Sequence, residues 1–195
     1  IAEPIAVCVR AIHRARLSVD SRVLVLGGGT IGLLSGLLAR DRAVEIAISV
    51  RYPHQRLAAQ ELGLTTIDEA QVASWASERK PDAVIETVGG SGGSLQQAVK
   101  VCRPSGRIVV LGVFTQPPAI NALRVVAQEL EMIGSFIYGL GQHGSEFGTA
   151  VSLLLRYKDE VARIQTHQFP LASVAEAFAC ANDKQNEPIK VTVLP

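Results

Sequence analysis

Four consecutive apolar residues, Val23-Leu24-Val25-Leu26, run directly into Gly27-Gly28-Gly29-Thr30-Ile31-Gly32, and an apolar stretch from Ile31 to Ala39 follows. A run with no polar alternation suits a strand covered on both faces, as in the middle of a parallel sheet. The glycines let the chain turn sharply out of that strand and into a helix lying close against it. Strand, glycine turn and helix in that order restrict the chain to an α/β architecture before any other feature is weighed.

The rest of the chain repeats the alternation. Ile5, Val9 and Ile12 recur at helical spacing, which predicts a helix over 4–15 with Pro4 in its first turn and Glu3 beside its positive end. Further helices are expected over 31–40, from Pro53 to near Gly63, and over 94–102, 122–129, 146–157 and 174–181. Strands are expected over 45–50, 65–67, 82–86, 107–111, 132–138, 164–169 and 189–194, with a Gly-rich loop over 139–144. The pattern predicts a doubly wound, Rossmann-type parallel sheet with helices on both faces. It divides into an opening helix and linker over 1–22, an α/β domain over 23–160 and a C-terminal segment over 161–195.

With 19 Lys plus Arg against 18 Asp plus Glu in 195 residues, the formal charge of +1 leaves no basic surplus to neutralise a nucleic acid. The most apolar stretch is broken by Ser35 and Gly36 and closed by Arg40 and Asp41, too short to cross a bilayer, so no membrane partner is expected. Cys8, Cys102 and Cys180 are odd in number and far apart. They suggest neither a disulfide framework nor a metal knuckle, and a reducing, cytoplasmic setting fits them. The opening Ile1-Ala2-Glu3-Pro4, without a methionine, reads as a piece of a longer protein.

Gly27, Gly29 and Gly32 form G-x-G-x-x-G between a predicted buried strand and a predicted helix, and that context gives the motif its weight. Gly27 permits the tight turn, Gly29 lets the backbone approach a pyrophosphate, and Gly32 lets the helix, opened by Thr30 and Ile31, pack on the strand. Backbone N–H groups at the helix start would then meet the anion. NAD recognition calls for an acid at the end of the second strand, about 20 residues on. The sequence there is Ile48-Ser49-Val50-Arg51-Tyr52, with no carboxylate. Ser49 can donate to a phosphate and Arg51 can grip one with its guanidinium fork, which favours NADP over NAD. His54 and Arg56 lie close by and can support the same phosphate, or else stand as exposed polar residues on the next helix. His13, His54, His143 and His167 are scattered, and His143 with Glu146 is a single i, i+3 pair lacking further metal ligands. Trp75 reads as a packing residue.

The Glu3-Pro4 opening, Val23 to Gly32, Asp82-Ala83-Val84-Ile85-Glu86-Thr87-Val88-Gly89, Gly106-Arg107-Ile108-Val109-Val110-Leu111-Gly112 and the ending Phe169-Pro170-Leu171 to Lys190-Val191 together resemble the zinc-dependent medium-chain alcohol and polyol dehydrogenases. The resemblance covers nearly all of these residues but only the cofactor-binding half of the family's protein. It implies that Thr87, Val88 and Gly89 approach the adenosine ribose and the middle of an NAD(P) cofactor. It implies that Gly112, Val113 and the Ser135-Phe136 region line the nicotinamide side. In the polyol branch the matching Glu-Pro pair places a carboxylate at or near the catalytic zinc, which makes Glu3 a candidate metal ligand. The other zinc ligands would lie in a GroES-like domain, against which segment 161–195 would pack. The implied reaction is hydride transfer between NAD(P) and a small alcohol or carbonyl compound, by an enzyme whose isolated cofactor domain is inactive. A homodimer or homotetramer is expected, the apolar edge strand Met132 to Tyr138 being able to pair with its copy. Open alternatives are the cofactor domain of a zinc-free quinone or enoyl reductase, a non-catalytic NADP-sensing module, and a methyltransferase, which the missing acid after the second strand disfavours.

Overall fold

The computed structural model describes residues 1–90, 93–141 and 144–195. Helix α1 (Ala2–Ala15) leads into β1 (Arg22–Leu26), α2 (Thr30–Ala39), β2 (Glu45–Val50), α3 (Pro53–Glu61) and β3 (Thr65–Asp68). A second run follows: α4 (Val72–Arg79), β4 (Ala83–Glu86), α5 (Ser94–Val101), β5 (Arg107–Val110), α6 (Ala122–Ala127) and β6 (Glu131–Gly134). The six strands form one parallel sheet in the order β3-β2-β1-β4-β5-β6. The strand order reverses between β1 and β4, which is where an open α/β sheet leaves a crevice beyond its strand C-termini.

The two faces of β1 explain its uniform apolarity. Val23 and Val25 join a core with α1, α2 and α3, whereas Leu24 and Leu26 join a second core with α4 and α5. Alternate side chains of a strand point to opposite faces, so a strand between two helical layers must be apolar at every position. Each fully buried Leu or Val contributes roughly 1.5–3 kcal/mol relative to exposure. Helix α2 is buried from Gly32 to Ala39, because it is pressed between the sheet and α1.

Beyond β6 come the short antiparallel strands β7 (Leu140–Gly141) and β8 (Gly144–Ser145), then α7 (Glu146–Arg156) and α8 (Lys158–Ile164). The chain ends with β9 (His167–Pro170), α9 (Val174–Asn182) and β10 (Val191–Leu194), with β9 and β10 paired in parallel. Among the described residues, no helix is long and apolar enough to cross a membrane.

Three expectations require correction. Residues 132–138 are not one strand: β6 ends at Gly134, and Ile137 adopts φ 56°, which an extended strand cannot accommodate. Residues 164–166 are not strand either, since α8 runs through Ile164. Its buried Val161 and Ile164 stand three apart, the spacing of one helical face. Part of the Gly-rich loop is the β7–β8 pair; His143 lies outside the described residues, so the His143–Glu146 pairing does too. Helix α4 was not anticipated, because in a polar segment only Val72 and Ala76 are buried to mark it.

At the opposite end of the sheet from the glycine turn, Asp82 joins the starts of β1 and β4. Its carboxylate accepts from the Arg22 amide at 2.7 Å and from Arg103 Nε at 2.6 Å. Burial alone would raise this carboxyl, but the Arg22 amide and the Arg103 guanidinium outweigh it, and it titrates below its ordinary range. A lowered folded-state pKa contributes stability that is present above the unfolded value, about pH 4, and lost as pH falls through the folded value. Asp82→Asn should therefore destabilise the chain at pH 7 by about 1–2 kcal/mol. The gap to wild type should narrow below about pH 4, as denaturant titrations across that range would record.

Candidate dinucleotide-binding site

Leu26 leads into Gly27, whose φ of 106° turns the chain away from β1. The turn is held by its neighbours: the Gly27 amide donates to Ser49 Oγ at 3.4 Å, and Thr87 Oγ1 donates to the Leu26 carbonyl at 2.7 Å. Gly29 caps α2 with no side-chain acceptor, and no acidic residue stands in the first turn of that helix. Its leading N–H groups therefore face outward unneutralised, the arrangement that suits an anion. A Cβ built on Gly29 would meet no atom of the described residues within 4 Å, so the described backbone there is open to a ligand.

Around this turn lies a crevice of about 560 Å³. Gly27, Gly29, Ser49, Arg51, Thr87 and Val88 all line it, brought together from the C-terminal ends of β1, β2 and β4. Thr30, Ile31 and Gly32 stand behind it in the first turn of α2, where Thr30 Oγ1 donates to the Ile189 carbonyl at 2.6 Å and fastens the C-terminal segment. Gly89, Gly112 and Val113 do not line it; they form an adjoining contact in which the Gly90 amide donates to the Val113 carbonyl at 2.8 Å. Gly89 has φ 60° and lies so close to Val113 that a Cβ would approach its backbone to 2.5 Å. Ser135 is buried beyond β6, its amide donating to the Val110 carbonyl at 2.8 Å.

Residues that sequence reasoning passed over also face the crevice. Gln55 Oε1 accepts from the amides of Arg51 and Tyr52, ordering the loop after β2; a Gln in the first turn of a helix is the signal that pointed there. Lys184 reaches the crevice from the C-terminal segment, a cation that no local motif announces. Glu69, from the short 3-10 turn Glu69–Gln71 after β3, supplies a carboxylate that the end of β2 itself lacks. It accepts from Arg51 Nε at 2.8 Å and from Nη2 at 2.9 Å, a two-pronged pair. That hydrogen bond holds the Glu69 carboxyl below its ordinary range against the opposing effect of burial.

Comparison with known proteins places this arrangement. Residues 30–156, well over half of the chain, match the family model described as zinc-binding dehydrogenase. The chain belongs to that family. Among curated relatives it is 27% identical over 185 residues to 2-dehydro-3-deoxy-L-galactonate 5-dehydrogenase of Pseudoalteromonas atlantica, covering 92% of this chain and 53% of that protein. It is 28% identical over 189 residues to sorbitol dehydrogenase of Rattus norvegicus, covering 92% and 51%. It thus spans about half the length of the curated relatives it matches. Among solved structures, L-idonate 5-dehydrogenase of Escherichia coli superposes with a TM-score of 0.87 at 27% identity, covering 99% of this chain and 56% of that one. A protein of Sinorhizobium meliloti 1021 solved with bound NADP gives 0.88 at 27% identity, covering 100% and 58%.

Glu3, the one candidate metal ligand in this family member, is exposed on the first turn of α1. Among the described residues no group of three His, Cys, Asp or Glu side chains is placed to hold a metal ion. A zinc site needs three or four such donors, so the described residues do not build one by themselves.

Proposed function

We propose that this chain is the cofactor-binding half of a zinc-type alcohol or polyol dehydrogenase, and that the crevice beyond β1 and β4 takes NADP or NAD. The observation that carries the reading is the glycine turn at the strand-order reversal, open at Gly29 and backed by an α2 N-terminus free of acid. In the proposed pose the pyrophosphate lies on Gly27 to Gly32, Ser49 and Arg51 face the adenosine ribose and its 2′-phosphate, and Thr87, Val88 and Gly89 follow the middle of the cofactor. Gly112, Val113 and Ser135 stand on the nicotinamide side. The bound nicotinamide supplies the hydride acceptor or donor, and these residues orient it toward a small alcohol or carbonyl substrate. The relative solved with NADP supports the choice of cofactor.

The zinc ligands belong, in this proposal, to a GroES-like domain against which segment 161–195 packs; that segment exposes Leu171, Phe178 and Leu194. The 195 residues alone would then bind dinucleotide and oxidise no alcohol. Association into a homodimer or homotetramer through the edge strand β6, and a reducing, cytoplasmic setting for the three free thiols, complete the reading.

Titration of the full chain with NADPH and NADH, followed by nicotinamide fluorescence, tests it. Both cofactors should bind, NADPH more tightly, and Arg51→Asp should weaken NADPH by about tenfold or more by replacing an attraction with a repulsion. Failure to bind either cofactor would overturn the assignment of the crevice.

A further inference from the structure

Arg51 and Glu69 are 18 positions apart in sequence, yet the sheet makes them neighbours by register. Val50 of β2 pairs with Asp68 of β3, and Arg51 and Glu69 are the first residues beyond the ends of those strands. Both line the crevice, and the guanidinium fork is already occupied by the carboxylate through two hydrogen bonds. The side chains remain 61% and 49% exposed, so the pair is solvated and can open without disrupting the core.

Two chemistries compete for this fork. A 2′-phosphate carries more negative charge than a carboxylate and offers three acceptor oxygens, so it can take the guanidinium from Glu69. The displaced carboxylate then stays close to a dianion, and like charges at that range oppose binding. A ribose that keeps its 2′-hydroxyl has no such conflict, because a hydroxyl can donate to Glu69 while Arg51 stays paired.

We propose that Glu69 is a specificity-determining residue for the cofactor: it competes with the 2′-phosphate for Arg51 and narrows the NADP advantage that Arg51 alone would confer. This rests on the reading of the crevice as an NAD(P) site. Arg51 is the attractive element, and Glu69 the element that selects against the phosphorylated ribose.

The test is a double-mutant cycle on the full chain, with NADPH and NADH binding read by fluorescence at low salt for wild type, Glu69→Gln, Arg51→Met and the double variant. Glu69→Gln should tighten NADPH by about tenfold while NADH changes less than about threefold. On the Arg51→Met background the gain should shrink to what relief of the carboxylate–phosphate repulsion alone supplies, because the part that depends on a freed guanidinium is lost. Thermal unfolding checks that each variant is folded, and Glu69→Ser is a second way of removing the charge. Ordinary NADH binding with an unchanged NADPH to NADH ratio in both Glu69 variants would overturn the proposal and leave the crevice assignment standing. A gain of the same size with and without Arg51 would also overturn it. Binding of neither cofactor by any form would remove the assignment and the proposal together.

Discussion

Gly32→Ala should reduce dinucleotide affinity by at least about a hundredfold and destabilise the chain by about 2–4 kcal/mol. The cause is steric and local. A Cβ on Gly32 would sit 1.8 Å from the Gly27 carbonyl oxygen and 3.0 Å from Thr87 Oγ1. The first of these is backbone and cannot rotate aside, so either α2 lifts from the sheet or the turn is rebuilt. Either movement displaces the N–H groups that face the crevice. Gly29→Ala separates the two consequences. Its Cβ meets nothing among the described residues within 4 Å and its φ of −80° is ordinary, so stability should change by less than about 0.5 kcal/mol. The methyl group nonetheless points into space that the pyrophosphate would use, and affinity should fall. Cofactor titration and denaturant unfolding of the two variants side by side make the comparison. Full affinity in Gly32→Ala would show that the close approach of helix and turn is immaterial to binding.

Glu86→Ala should cost about 3 kcal/mol and loosen the second wall of the crevice. Glu86 closes β4 with its side chain fully buried at 0% exposure. One carboxylate oxygen accepts from the amides of Val88 at 2.8 Å and Gly89 at 2.9 Å, fixing the turn that carries Thr87 and Val88 to the crevice. The other oxygen has no hydrogen-bond partner among the described residues and lies against Gly112, where a Cβ would come within 2.4 Å of it. Truncation strands the two amide donors and opens a void. Glu86→Gln keeps one acceptor for those amides and should lose about half as much. The denaturation midpoints rank the three proteins, and a Glu86→Ala protein as stable as wild type would sink the argument. Gly112 needs no side chain for the same reason: β5 leaves the sheet over the place where the buried carboxyl stands.

Much of the scaffold was legible because it is local. Val23 to Leu26 and Ala83 to Ile85 are unbroken apolar runs, and a strand sandwiched between helical layers has no other way to satisfy both faces. Glu45 to Val50 matches β2 at both ends, and Pro53 opens α3 as a fixed φ at a helix start should. Helix α4 and the course of residues 158–166 were less legible, because each buries only two side chains and so leaves a thin periodic signal.

The sequence by itself determined the parallel α/β sheet, the glycine turn at the end of its first strand and the presence of a cation after the second. Periodicity, apolar runs and turn residues act over a few positions and need no knowledge of what lies across the sheet. Only the tertiary structure decided what those residues meet. Strand register set Glu69 beside Arg51, the C-terminal segment brought Lys184 to the crevice, and the Ile189 carbonyl came to Thr30 across 159 positions. Charge partners and hydrogen bonds form between whatever side chains the packed strands carry side by side. The electrostatics around Arg51 is therefore a property of the sheet order, not of any stretch of chain.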